Sequence, residues 1–347
     1  MLADQVDAVI GVDTHKRTHT AAVVTPTGGL VADLTVPTDA FGAKRVLAFA
    51  RQHAPERRVW AIEGSGSYGS GLTTYLLEQG EWVVEIDRPA RPARRNGAKS
   101  DELDAARAAR AALSREHLAQ PRRRGDREAI RVLVCTREGA ILSRTRAITH
   151  LRALVVNAPE GIRNQLRTLS TDEPLERCAR LRTGPSQSVE HRTTITALRS
   201  TARRALVCEA EAGDLESALE LIVERVAPAL LAEPGVGVMS AARILNAWSH
   251  PGRIRSEAAF AQLAGVSPIP ASSGQTVRHR LNRSGDRQLN RAMHAIVLSR
   301  LQHDPATRAY AERRRTEGRT DREIKRCLKR FVARHVFRLL EQSVEGA

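Results

Sequence analysis

Residues Ala8 to Asp13, AVIGVD, form a short apolar run that stops on an acid, and its reading as a strand decides how the front third of the chain folds. Thr20 to Val24 and Leu30 to Val36 follow as two more such runs, separated from each other by a Pro-Thr-Gly-Gly turn. Runs of this length punctuated by turn residues predict three antiparallel strands in succession. Further along, Phe41 to Gln52 carries the apolar spacing of a helix, Val59 to Glu63 reads as a buried strand, Leu72 to Glu78 as a helix and Trp82 to Ile86 as another strand. Lys99 to Leu113, KSDELDAARAARAAL, is an alanine-rich helix on which Asp101 and Asp104 stand three apart and share one face.

That order predicts an α/β ribonuclease-H-like domain over residues 1–118. Asp13 then lies in the first strand and Glu63 ends the fourth; if those strands are neighbours and the alanine-rich helix packs across them, Asp13, Glu63, Asp101 and Asp104 converge. Such a set can clamp two divalent ions about 4 Å apart, one activating the attacking oxygen and the other stabilising the leaving oxygen. Magnesium suits an all-oxygen set, with no histidine needed. Each acid alone has a plainer reading: Asp13 as a turn residue before Thr14, Asp101 as a helix cap after Ser100, Asp104 on a solvated helix face. It is their joint placement at element ends that points to a site. His15 and His19, four apart on a strand-to-strand connection, do not share a face as they would on a helix and are expected to be solvent-exposed.

The same segment contains a competing motif. Gly64, Gly66 and Gly69 in GSGSYG spell Gly-x-Gly-x-x-Gly between a strand and a helix, with Glu85 or Asp87 about twenty residues on. A dinucleotide site is disfavoured, because Glu63 would abut the pyrophosphate and three strands precede the unit. The glycines are expected to let backbone or a DNA phosphate pass close to the acids.

The chain has 347 residues, 41% of them hydrophobic, enough for two or three domains with real cores, and a formal charge of +16 that points to an acidic polymer, nucleic acid before membrane. Lys16, Lys44, Lys99, Lys325 and Lys329 are the only lysines, so nearly all of the positive charge is arginine, whose planar fork suits phosphate and guanine edges. Aromatics at 3% disfavour a base-stacking platform. Cys135, Cys178, Cys208 and Cys327 are isolated from one another, which excludes a zinc ribbon or a disulfide scaffold. No basic leader or run of eighteen apolar residues occurs, and the cytoplasm is the expected compartment.

Residues 119–228 read as a helical coiled-coil spacer. Val134, Ile141, Ile148 and Val155 recur at seven, and Leu215, Leu219, Ile222 and Val226 mark a second helical stretch. Asn157 to Gln187, rich in prolines, serines and mixed charges, is the least ordered-looking part, and Pro121-Arg-Arg-Arg-Gly125 marks the boundary before the spacer. Residues 229–347 read as a mainly helical domain. There EPGVG at Glu233 to Gly237 opens a helix, and the backbone at Gly235 and Gly237 is a candidate phosphate cradle. Ser272 and Ser273 precede Gly274 and are followed by Arg278, Arg280, Arg283, Arg287 and Arg291. A serine beside guanidiniums that draw in a phosphodiester is a candidate nucleophile, although Ser-Ser-Gly is also an ordinary turn.

Taken together, GVDTHK, AIEGSGSY, KSDELDAARAA, PGVG, LAGVSP at Leu263 to Pro268, and SSG followed by RLNRSGDRQLNRAM resemble the insertion-sequence-110 transposase family. The motifs span both end domains in order and leave only the middle unmatched. The resemblance implies a RuvC-like domain bearing the DEDD acids Asp13, Glu63, Asp101 and Asp104, which bind Mg2+ or Mn2+, and a C-terminal transposase domain. It also implies Ser273 as the catalytic serine, with Ser272 as the nearest competitor. The family often has Ser or Thr then Lys where Asn282 and Arg283 stand here. A covalent serine–DNA link, a guiding noncoding bridge RNA and a homo-oligomer, dimer or tetramer, are further expectations from the resemblance. Two other readings of the residues remain: a junction-resolving nuclease that uses metal-activated water, and a non-catalytic nucleic-acid binder.

Overall fold

The computed structural model describes residues 2–86, 100–166, 173–270 and 279–342. Ser272, Ser273, Gly274 and Arg278 lie outside the described residues, as does Asp87. The chain divides into two compact units, Met1–Arg124 and Gly125–Ala347.

The first unit is built on one mixed sheet. Strands β1 (Ala8–Thr14), β2 (Thr18–Val24), β3 (Leu30–Pro37), β4 (Arg58–Glu63) and β5 (Val83–Ile86) lie in the order β3-β2-β1-β4-β5. The first three pair antiparallel, with Val12 opposite Ala21, and β4 then joins β1 in parallel with Ile62 beside Val12. Successive side chains of a strand point to opposite faces, so β1 serves two cores. Ile10 and Val12 pack with Val23, Trp60 and Ile62 beneath helices α1 (Ala40–His53) and α2 (Ser70–Glu78). Val9 packs with Ala22, Val59 and Ala61 beneath α3 (Asp101–Leu113).

Helix α3 comes unusually close to the sheet. Its inward face is alanine, at Ala105, Ala106, Ala108, Ala109 and Ala112, and it crosses β1 at Gly11. A Cβ at Gly11 would lie 1.9 Å from the Ala105 carbonyl oxygen and 2.6 Å from the Ala109 nitrogen, so only glycine permits the crossing. Ser100 caps the helix, its side chain accepting from the Leu103 amide, and Asp101 begins the first turn.

The second unit is helical. Helix α4 (Asp126–Val156) leads through the short α5 (Glu160–Leu166) and α6 (Glu173–Arg180) to α7 (Val189–Val226). The pairs Asp126–Arg225, Arg137–Glu216 and Arg144–Glu209 descend one helix as they climb the other, so α4 and α7 form an antiparallel hairpin. The heptad positions predicted for α4 are only partly the seam. Val134 is buried but Ile141 is exposed, and the buried apolar residues are Ile130, Val134, Ala140, Ala147 and Leu151. Small alanines carry the close contact, and a straight helix drifts relative to a strict seven-residue repeat. Within the described residues of Asn157 to Gln187, Ile162, Leu166, Leu175 and Cys178 bind α5 and α6 to one end of the hairpin.

At its other end the hairpin shares a core with α8 (Pro228–Leu231), α9 (Val238–Trp248), α10 (Glu257–Leu263), α11 (Arg287–His303), α12 (Pro305–Thr316) and α13 (Asp321–Gln342). A short ladder, β6 (Ile269–Pro270) with β7 (His279–Arg280), brackets in sequence the segment that holds Ser272 and Ser273.

Candidate metal centre and nucleic-acid interface

Alternation along β1 puts Asp13 on the α3 side of the sheet, two positions beyond Gly11, and puts His15 on that side again just past the strand end. The close passage of α3 over Gly11 brings Asp101, in its first turn, to the same place. His15 Nε2 is 3.2 Å from Asp13 Oδ2 and 3.4 Å from Asp101 Oδ1. Asp13, His15 and Asp101 each offer a ligand atom, and these atoms lie within 4.8 Å of one another.

The electrostatics of the group centre on Asp13. Burial is the main reason that the Asp13 carboxyl lies above its ordinary value; a charged His15 pulls it back, and the negative charges of Asp101 and Asp104 push it further up. Asp104 therefore acts on Asp13 through its charge, while its own carboxylate is held by Arg107 at 2.5 Å. Glu63 ends β4 one position beyond the Val12–Ile62 pairing, on the same face as Asp13, but its carboxylate is not in the group of ligand atoms within 4.8 Å. Of the four predicted acids, then, the fold gathers Asp13 and Asp101, keeps Asp104 within electrostatic range and leaves Glu63 half-buried at the rim.

His15 adds a nitrogen beside the acid oxygens, because it follows Asp13 by two along extended chain and so shares its side. One expectation is corrected here. His19 is not solvent-exposed: it is buried on β2, where Thr14 lies opposite it, on the other face from the acids. Its burial holds the imidazole below its ordinary pKa, against a hydrogen bond to the Thr18 backbone that raises it.

Thr14 and two of the GSGSYG glycines hold this geometry. Thr14 Oγ1 donates to the Glu63 carbonyl at 2.8 Å and ties the ends of β1 and β4 together. The GSGSYG turn then wraps Thr14. Gly64 has φ +70°, and a Cβ at Gly69 would sit 2.9 Å from Thr14 Cγ2, so these glycines serve close backbone packing beside Asp13. Gly66 has open space around it.

In the helical unit, Gly235 has φ +78° and packs against α11, where Arg300 donates to the Pro234 carbonyl at 2.7 Å. Gly237 caps α9 with extended backbone and open space at its α-carbon. Arg280, Arg283, Arg287 and Arg291 are all exposed, and none has an ion-pair partner among the described residues. The thiol of Cys178 is buried and pushed up to about 11, which rules it out as a nucleophile near neutral pH.

Residues 10–158 match a family model of the IS110 DEDD type described as "Transposase", and residues 227–312 match one described as "Transposase IS116/IS110/IS902 family". The chain belongs to the IS110 family of transposases. A protein of insertion element IS900 from Mycobacterium paratuberculosis is 25% identical over 357 residues, covering 89% of both chains. A protein of insertion element IS110 from Streptomyces coelicolor is 35% identical over 109 residues, which is 30% of this chain and 27% of that one. Both are described only as uncharacterized proteins of their elements. As an IS110-family transposase the chain is a DNA-recombining enzyme of an insertion sequence, and its DEDD class implies use of a divalent metal. Asp13, Asp101 and Asp104 fall within the first matched segment, as do His15 and Glu63. No described helix is long and apolar enough to cross a membrane.

Proposed function

We propose that this transposase cuts and rejoins DNA strands with a serine nucleophile and a cation-dependent acid centre, in a ribonuclease-H-like, RuvC-like first domain and a helical C-terminal domain. The observation that carries the proposal is the Asp13–His15–Asp101 group, a negative cluster poised for a cation in a chain whose partner is DNA. The residues fit a divalent ion. Asp13 and Asp101 would supply oxygen and His15 nitrogen, Glu63 and Asp104 complete the acid set at its edge, and Mg2+ or Mn2+ is the ion, with the imidazole favouring Mn2+. When bound, the ion neutralises charge on a phosphodiester and makes its phosphorus easier to attack.

The chain's own groups do the rest. The exposed arginines Arg280, Arg283, Arg287 and Arg291, with Arg278, draw in the backbone, and the amides opening α9 at Gly235 and Gly237 add neutral donors. Ser273 Oγ attacks phosphorus, a phosphoserine ester forms, the displaced deoxyribose oxygen leaves as a hydroxyl, and reversal on a new hydroxyl rejoins the strand. A structured noncoding bridge RNA chooses the sites by pairing, and the enzyme works as a homo-oligomer in the cytoplasm, reading backbone and shape.

Trapping tests this. Denatured reaction products should carry protein covalently on DNA, and Ser273→Ala should abolish both adduct and cleavage. If the Ser273→Ala protein cuts DNA as well as the parent, a junction-resolving nuclease using metal-activated water is the correct reading.

A further inference from the structure

The last helix carries a second constellation, of which the proposed chemistry uses only the neighbouring Arg280. A cleft of about 780 Å³ lies between the LAGVSP loop, the chain leaving β7 and the inner side of α13. Arg280, Arg326, Lys329 and Arg330 stand around it. Lys329 is half-buried, and among the described residues its Nζ has one hydrogen bond, 3.2 Å to Asn290 Oδ1. No carboxylate pairs with Lys329, Arg280 or Arg330 among the described residues; Arg330 reaches only the Ser267 hydroxyl at 3.4 Å. Glu323, the one acid lining the cleft among the described residues, is engaged by Thr320 and Arg319.

The floor is built rather than incidental. Asn282 is 6% exposed and lines the cleft, and its Nδ2 has no hydrogen-bond partner among the described residues. The amide's orientation is set, because its Oδ1 accepts from the Ser284 backbone N–H at 2.9 Å, a group that can only donate. Asn290 fixes Lys329 from behind, its own Nδ2 donating to the Ala264 carbonyl at 2.7 Å. Gly265 and Gly285 let the two loops interlock, with a Cβ on Gly285 falling 2.4 Å from the Leu263 carbonyl oxygen. An unsatisfied buried donor is unfavourable, and so is a half-buried ammonium among arginines. Both costs fall when an anionic oxygen enters. Burial, with Arg326 beside it, already holds the Lys329 ammonium below its ordinary pKa.

We propose that this cleft is a phosphate subsite for the DNA backbone, in which Lys329 and Arg330 pair with a phosphodiester and Asn282 donates to its oxygen. It holds the strand beside the chain that enters β6 at Pro268 and the chain that leaves β7 at Arg280. It rests on DNA being the substrate, not on the serine chemistry, so it survives failure of the trapping experiment above.

The test is equilibrium binding of the full chain to one fixed DNA duplex across a salt series. Each phosphate contact adds about 0.9 to the slope of log affinity against log salt. Lys329→Met keeps the stem and removes the charge. It should lower that slope by about one, so that affinity falls about threefold less than the parent's between roughly 50 and 200 mM salt. Lys329→Arg should restore the slope, and Arg313→Gln, an equal charge loss on exposed α12, should leave it at the parent value. Thermal unfolding of each variant identifies any that misfold, and Arg330→Gln then serves as the second reporter. A Lys329→Met slope equal to the parent's, or a loss seen with RNA of matched length but not with DNA, overturns the proposal.

Discussion

Gly11→Ala probes the link between fold and chemistry, because one methyl group separates α3 from the strand that bears Asp13. The added Cβ would meet the Ala105 carbonyl oxygen at 1.9 Å, where ordinary contact begins at 3.4 Å, so the helix must retreat by about 1.5 Å. Both obstructing atoms are backbone, and neither can rotate away. Overpacking of this kind costs about 1–3 kcal/mol, which lowers the melting temperature of a unit this size by roughly 4–12 °C. The larger effect is on the site. Asp101 rides on α3, and the retreat carries it out of its 3.4 Å contact with His15; a misplacement of about 1 Å costs on the order of a hundredfold in rate. Differential scanning fluorimetry and metal-dependent strand cleavage read the two effects, with DNA affinity as a control that should hold. An alanine variant with the parent's melting temperature and cleavage rate would refute the reasoning, since α3 would then not be pinned at Gly11.

Other perturbations separate the remaining parts. Thr14→Val removes the bond to the Glu63 carbonyl and should cost about 1 kcal/mol in stability, with cleavage falling more than DNA affinity. His15→Gln should weaken Mn2+ binding more than Mg2+ binding in calorimetric titrations, because imidazole nitrogen suits the transition ion better. Gly213→Ala, mid-helix on α7 with open space around it, should raise stability by about 0.5–1 kcal/mol by denaturant titration. Glu81 supplies a pH signature away from the site. Burial acts to raise its carboxyl, but the hydrogen bonds from Arg58 and Trp60 and the charges of Arg58 and Arg51 hold it below the ordinary value of 4.5. The stability it contributes is therefore full above about pH 4.5 and is lost as pH falls toward its lowered folded value. Glu81→Gln should destabilise near neutrality by about 3 kcal/mol and flatten the acid limb of the stability curve.

Much of the first unit was legible because strand alternation and helix spacing are local signals. AVIGVD, VWAIE and DELDAARAAR each declared their element, and the neighbouring of β1 and β4 follows from the order of elements. His15 was missed because it was compared with His19 at helical spacing, when the relevant partner was Asp13 two residues back on extended chain. Gly11 was missed because its constraint comes from α3, about ninety residues away in sequence, and a glycine within an apolar run has no local signature. On α4 the heptad residues marked a seam in which Val134 is buried and Ile141 is not, because Ala140 and Ala147 share it with Ile130 and Leu151. Lys329 has no local signature in the sequence, since the partial burial of an ammonium depends on loops that only tertiary structure brings near. The segment around Ser273 is recognised from sequence alone.

The central claim is that Asp13, His15 and Asp101 hold a divalent cation. Titration of the full chain with Mn2+, followed by the electron paramagnetic resonance of the free ion, tests it most directly. The parent should deplete free Mn2+ stoichiometrically, and Asp13→Asn with Asp101→Asn should abolish that depletion while leaving the fold intact by circular dichroism. Undiminished Mn2+ uptake by the doubly substituted, folded protein would contradict it.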